Sequence, residues 1–134
     1  MTRSRLPGAA LIALVSACSA GIVESDFARA EEKVDYHTKV RPILSTYCYS
    51  CHGEDAKNRE ADLRLDRKAF AFVDLGGYPN IVPGDPDESE LYLRVSAAIA
   101  EERMPPYRSG TRLSVEQIET IRMWIEQGAE WPDD

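Results

Sequence analysis

Thiols, histidines, aromatic rings and positive charge are all scarce in this sequence, and each shortage closes off a class of explanation. Cysteine occurs three times in 134 residues. Cys18 falls in a leading apolar stretch, so the rest of the chain holds one pair, Cys48 and Cys51, and no disulfide framework. A bridge between those two would close a loop too small to stabilise much. Histidine occurs only at 37 and 52 and no cysteine follows Cys51, so the four ligands of a structural zinc are not assembled. Rings make up 8% of the residues, and a domain of about 100 residues buries a limited core of its own. Lys and Arg number 16 against 23 Asp and Glu, a net charge of −7, which argues against nucleic acid and anionic lipid as partners. There is no repeat, no phosphate-cradling glycine loop and no dinucleotide fingerprint. The carboxylates scatter over loops and helix starts, the pattern of a solvated face.

Residues 1–30 read as an export signal. Arg3 and Arg5 give a positive start, 6–23 is an apolar run of small and aliphatic residues, and Ala28-Arg29-Ala30 is an A-x-A cleavage site. Val15-Ser16-Ala17-Cys18 offers a second processing site, because it resembles a bacterial lipobox in which Cys18 would carry lipid. Either route exports residues 31–134 as one domain. Release after Ala30 leaves 13 basic against 21 acidic residues. So acidic a surface suits a basic patch on a redox partner, and it equally serves simple solubility.

Helical signals dominate that domain. Asp35 is an N-cap for a helix through Val40, Ile43, Leu44 and Tyr47, with Pro42 kinking it or marking where its regular part begins. Residues 53–62 form a polar loop, and Leu63 and Leu65 alternate with charges in a short extended piece. Asp66 should cap a brief helix over 67–72, with Phe70, Phe72 and Val73 in the core. Gly76-Gly77-Tyr78-Pro79 is a turn. Asp85, with Pro86 behind it and acids in the first turn, should open a helix whose stripe is Leu91, Tyr92 and Val95. Ser114 and Gln117 form a capping box for a last helix burying Val115, Ile118, Ile121, Trp124 and Ile125, stopped at Gly128. The fold class is all-α: short helices joined by loops long enough to need something central to pack against.

Cys48-Tyr49-Ser50-Cys51-His52 supplies that centre. Two cysteines three apart with histidine next is the C-x-x-C-H signature of covalent c-type haem attachment. Positions i and i+3 share a helical face, so Cys48 and Cys51 can each form a thioether to one side of a porphyrin, and the His52 imidazole can bind its iron. A thioredoxin-like couple would need a βαβ pattern, which is missing. For the other axial position, thioether sulfur favours ferrous iron and electron transfer. Met104 stands in a loop stiffened by Pro105 and Pro106 and is the expected ligand; Met123, beside Trp124, reads as gap filling. His37 reads as a surface histidine. Arg103 and Tyr107 flank the Met-Pro-Pro stretch, where hydrogen bonding to a propionate and plain loop exposure are equally open.

In order, Val40-Arg41-Pro42-Ile43-Leu44, the attachment motif with Gly53, Leu63-Arg64-Leu65-Asp66, Val82-Pro83-Gly84-Asp85-Pro86, Arg103-Met104-Pro105-Pro106, and Trp124-Ile125 with Gly128-Ala129 and Trp131-Pro132 resemble the planctomycete-type cytochrome c domain. That family is a branch of the class I cytochrome c fold, and the resemblance runs from about Tyr36 to Pro132. It implies thioethers at Cys48 and Cys51, proximal His52, distal Met104, and first and last helices packed together beside one haem c. Ala61-Asp62 stands where the family usually has two glycines, which bears on the tightness of that turn. The expected function is an exported, periplasmic monohaem carrier of single electrons between protein partners, not an enzyme. Membrane association would arise only through lipid at Cys18. The competing readings are a peroxidase or gas sensor with a displaceable Met104, and a haem module docked on a larger oxidoreductase.

Overall fold

A computed structural model describes residues 32–133. The Ala30 and Cys18 processing sites lie outside the described residues. Within them the architecture is helical and sheet-free: a π-helical segment Tyr36–Val40 runs into α1 (Arg41–Tyr47), followed by α2 (Lys68–Ala71), α3 (Glu90–Ser96), a 3-10 turn at Tyr107–Ser109 and α4 (Val115–Glu126). The one β-type pairing is an isolated bridge between Asp74 and Pro79, spanning the Gly76-Gly77 turn. No described helix is long and apolar enough to cross a membrane.

The first helical unit begins as its sequence dictates. Asp35 is extended, and its carboxylate accepts the Thr38 N–H at 2.8 Å and the Thr38 hydroxyl at 2.7 Å. That bonding holds the Asp35 carboxyl below the usual carboxylate range. Pro42 lies in the first turn of α1, and the wider turn stands just before it. A regular helix would bring the Pro42 ring against the carbonyl of Thr38; the π turn avoids that clash. The regular part does begin at the proline.

Tyr36, Val40, Ile43 and Leu44 fall on one face and are buried. The π segment packs on α4, whose Ile121, Trp124 and Ile125 are fully enclosed, and α3 packs on the same helix. Tyr36 stacks on Trp131 at 4.3 Å between ring centroids and lies 5.9 Å from Trp124. The Trp124 indole N–H donates to the Glu130 carbonyl at 2.9 Å. First and last helical units therefore meet through rings, each contributing roughly 1.5–3 kcal/mol by leaving water.

Both ends of α4 match their sequence signals. Ser114 and Gln117 exchange both capping-box bonds, at 3.2 and 2.8 Å. At the far end the Gly128 N–H donates to Ile125 and the Ala129 N–H to Trp124, with Gly128 at φ +102. This is the paired-bond stop that glycine at C′ permits.

Elsewhere the structure corrects the expectations. Val115 is 80% exposed, so the buried stripe of α4 starts at Ile118. Phe70 is 48% exposed and lies under the Arg64 guanidinium, 5.3 Å from its carbon, while Phe72 and Val73 do pack on the core. Asp66 does not cap α2, because Arg64 engages both its oxygens and holds its carboxyl below the usual range. The helix expected from Asp85 starts at Glu90. Its cap position is Ser89, whose buried hydroxyl accepts the Val82 N–H at 2.9 Å and donates to the Asp85 carbonyl at 2.7 Å, folding 82–89 into a turn first.

Ala61 and Asp62 stand at φ +54 and +52. Two successive side-chain-bearing residues are thus in the left-handed region that glycine tolerates far better, at about 1–2 kcal/mol each. Ala61→Gly is expected to stabilise the domain by about 1 kcal/mol, since relief of strain outweighs the added freedom of the unfolded chain. Thermal melts check this: a rise of several degrees is expected, and a fall would show that the turn is not strained.

Candidate functional site

The C-x-x-C-H motif is one more turn grown from the end of α1. The Cys48 N–H donates to the Leu44 carbonyl at 2.9 Å, and the Cys48 carbonyl accepts from both Cys51, at 3.1 Å, and His52, at 2.8 Å. Cys48 and Cys51 are therefore one helical turn apart. Both are free thiols, but they differ: Cys48 is buried at 8% exposure among core residues and Cys51 is exposed. Burial, with a smaller contribution from Cys51, pushes the Cys48 thiol up to about 12. In haem-free protein, iodoacetamide at pH 8 is therefore expected to alkylate Cys51 at least tenfold faster than Cys48, read by peptide mass, because Cys48 is both enclosed and held in its thiol form. Equal rates would contradict the burial of Cys48.

His52 is half-buried, and burial pushes its imidazole below the usual histidine range while the Glu60 and Leu63 backbone oxygens pull the other way. Its Nδ1 is enclosed and lacks a well-aligned hydrogen-bond partner. A proton on Nδ1 would leave the other ring nitrogen as the lone-pair donor. The segment beyond is tied back onto the turn: the Cys51 carbonyl accepts the Glu60 N–H at 2.8 Å and the His52 carbonyl accepts the Leu65 N–H at 2.7 Å. Arg59 adds bonds to the carbonyls of Gly53 and Glu54 at 3.0 and 2.9 Å. Gly53 is required for closeness rather than for an unusual φ, since a Cβ there would lie 2.3 Å from the Tyr49 carbonyl oxygen.

Met104 is carried separately. Its N–H donates to the Arg94 carbonyl on α3 at 3.0 Å, and the Arg94 guanidinium reaches the Glu102 carbonyl at 3.2 Å and Glu90 at 2.6 Å. One residue thus fixes the loop on both sides of Arg103. The Met104 side chain is 38% exposed, in a loop that also exposes Ile99 and Tyr107. The structure brings Cys48, Cys51 and His52 into one turn and sets Met104 on another segment; among the described residues no hydrogen bond or ring contact joins the two. His37 is exposed beside the Tyr36 ring, and Met123 is half-buried on α4. Arg59 and Arg94 were missed as supports. For Arg94 a signal existed, the i,i+4 pair with Glu90.

Among the described residues no group of three or more His, Cys, Asp or Glu side chains could hold a metal ion. What remains is an all-helical domain consistent with a small cytochrome c-like fold, with a thiol–thiol–imidazole turn and a methionine on a prolyl loop. Residues 48–107 match the family model Planctomycete cytochrome C, a span that opens on Cys48 and closes just past the Met-Pro-Pro stretch. Cytochromes c are typically electron carriers rather than catalysts, and the match supports that role in general. No curated protein and no solved structure matches the chain.

Proposed function

We propose that the protein is an exported monohaem c-type cytochrome that passes single electrons between redox protein partners. The observation that carries this reading is the Cys48–His52 turn, with its two thiols one turn apart and its imidazole following directly. Cys48 and Cys51 would hold haem c by thioethers, and His52 and Met104 would take the two axial positions. When bound, the group supplies a reversible one-electron Fe(III)/Fe(II) couple, which methionine ligation biases toward the ferrous form.

The chain's own contribution is to hold and orient. The Glu60 and Leu65 bonds fix the backbone of the turn that carries Cys48, Cys51 and His52, and Arg94 fixes the backbone of Met104. The few rings of the core cluster between the π segment and α4, and a large flat apolar cofactor would enlarge the interior.

Protein made with cytochrome maturation machinery should give a c-type pyridine haemochrome and an intact mass raised by one haem. Two free sulfhydryls on an unmodified chain would defeat the proposal. The competing reading has Met104 as a displaceable ligand, with the iron binding peroxide or a diatomic gas. Ready carbon monoxide binding to reduced protein at neutral pH would select it; no binding selects the six-coordinate carrier.

A further inference from the structure

We infer that Arg103 binds a propionate carboxylate of the haem and thereby raises the potential of the iron; the inference rests on the haem reading above. It starts from an unbalanced charge. Arg59, Arg64, Arg103 and Arg122 are the half-buried arginines among the described residues. Arg59 donates to two backbone carbonyls, Arg64 to Asp66, and Arg122 to Glu119 and Glu126. Arg103 alone has no acceptor among the described residues, and its Nε is enclosed.

An enclosed donor without a partner costs about 1–3 kcal/mol, and more on a charged group. The chain does not relieve this cost from nearby. Glu101 and Glu102, the adjacent carboxylates, are exposed and give Arg103 no oxygen. Nor can the backbone readily swing away. The residue before it has its carbonyl held by the Arg94 guanidinium, and the residue after it has its N–H held by the Arg94 carbonyl. A guanidinium on a backbone so held, with its Nε enclosed and unpaired, is a fork available to a planar oxyanion. Next to Met104, the carboxylate that a bound haem would bring is a propionate, and the sequence alone left this role and loop exposure equally open. A guanidinium there offsets propionate charge that would otherwise favour ferric iron.

The test uses holoprotein and the variants Arg103→Gln, Arg103→Lys and Arg108→Gln, the last an exposed arginine of the same loop. Haem content comes from the pyridine haemochrome, midpoint potential from spectroelectrochemistry, and the propionate and axial methionine signals from proton NMR. Arg103→Gln should lower the potential by the equivalent of at least a threefold shift toward ferric, where tenfold is about 59 mV for one electron. It should also move the propionate resonances and leave the methionine methyl signal in place. Arg103→Lys should recover part of the potential, and Arg108→Gln should change it by much less. A fully loaded Arg103→Gln at the parent potential overturns the inference alone, as does a drop accompanied by loss of the methionine signal, which would make Arg103 a loop support.

One measurement on the parent protein needs no variant. A contact between the Arg103 Nε–H and a propionate methylene, seen as a nuclear Overhauser effect, is expected, and its absence also overturns the inference. A parent chain without haem removes this inference and the proposed function together.

Discussion

Met104→Ala should keep its covalent haem, lose the sulfur–iron charge-transfer band of the ferric spectrum, and fall in midpoint potential by on the order of 0.1 V, against the range of about 0.8 V that axial ligands span. The haem-free fold should barely notice. The structure anchors this residue through its backbone N–H on the Arg94 carbonyl, which alanine retains, and the residue is 38% exposed. Without haem, stability should therefore change by less than about 1 kcal/mol, as for substitutions away from the core. Optical spectra and a redox titration read both effects. A surviving band would transfer the distal role to Met123 or another donor.

The second large effect is expected at Gly53. Alanine there would put a methyl carbon 2.3 Å from the Tyr49 carbonyl oxygen and 3.2 Å from its carbon. Both obstacles are backbone, so the attachment turn itself must shift. Overpacking of this kind costs about 1–3 kcal/mol or more, a large share of the roughly 5–15 kcal/mol that holds a small domain together. It also strikes the turn that sets the spacing of Cys48, Cys51 and His52. Gly53→Ala is expected to lower the fraction of chains carrying haem severalfold and to melt well below the parent. Gly76→Ala is the matched comparison: φ is +86 but nothing lies within 4 Å, so it should cost about 1 kcal/mol of strain and leave haem content alone. Parent-like loading and melting of Gly53→Ala would refute the close approach.

What the sequence disclosed is what short-range chemistry determines. The ends of α4 were readable because Ser114 with Gln117, and Gly128 with its neighbours, complete their bonds within a turn. Asp35 and Pro42 were readable for the same reason. The start of α3 was not, although Asp85 and Pro86 carried every local signal. Ser89 outbids them by bonding Val82, seven residues back, and only the folded chain brings those groups together. Phe70 read as core because it is apolar, yet the Arg64 guanidinium covers one face of it and leaves the rest in water. Ala61-Asp62 read only as a departure from a glycine pair; the positive φ at both residues shows what the glycines would have been for.

The candidate site divides the same way. The attachment turn is legible because its spacing is three residues. Gly53 entered only as the residue closing the motif, since the nearness of the Tyr49 carbonyl leaves no mark in a residue list. Arg103 could not be assigned from its neighbours, because an exposed arginine and one waiting for a carboxylate are spelled alike.

The double hold of Arg94 has a consequence for speed. In the proposed carrier, a sulfur ligand on a loop whose backbone is secured at both flanks, Glu102 on one side and Met104 on the other, would have little room to relocate when charge arrives or leaves. Small nuclear rearrangement between oxidation states means a low intrinsic barrier to electron exchange. Loosening Arg94 would therefore slow self-exchange before it unfolded anything.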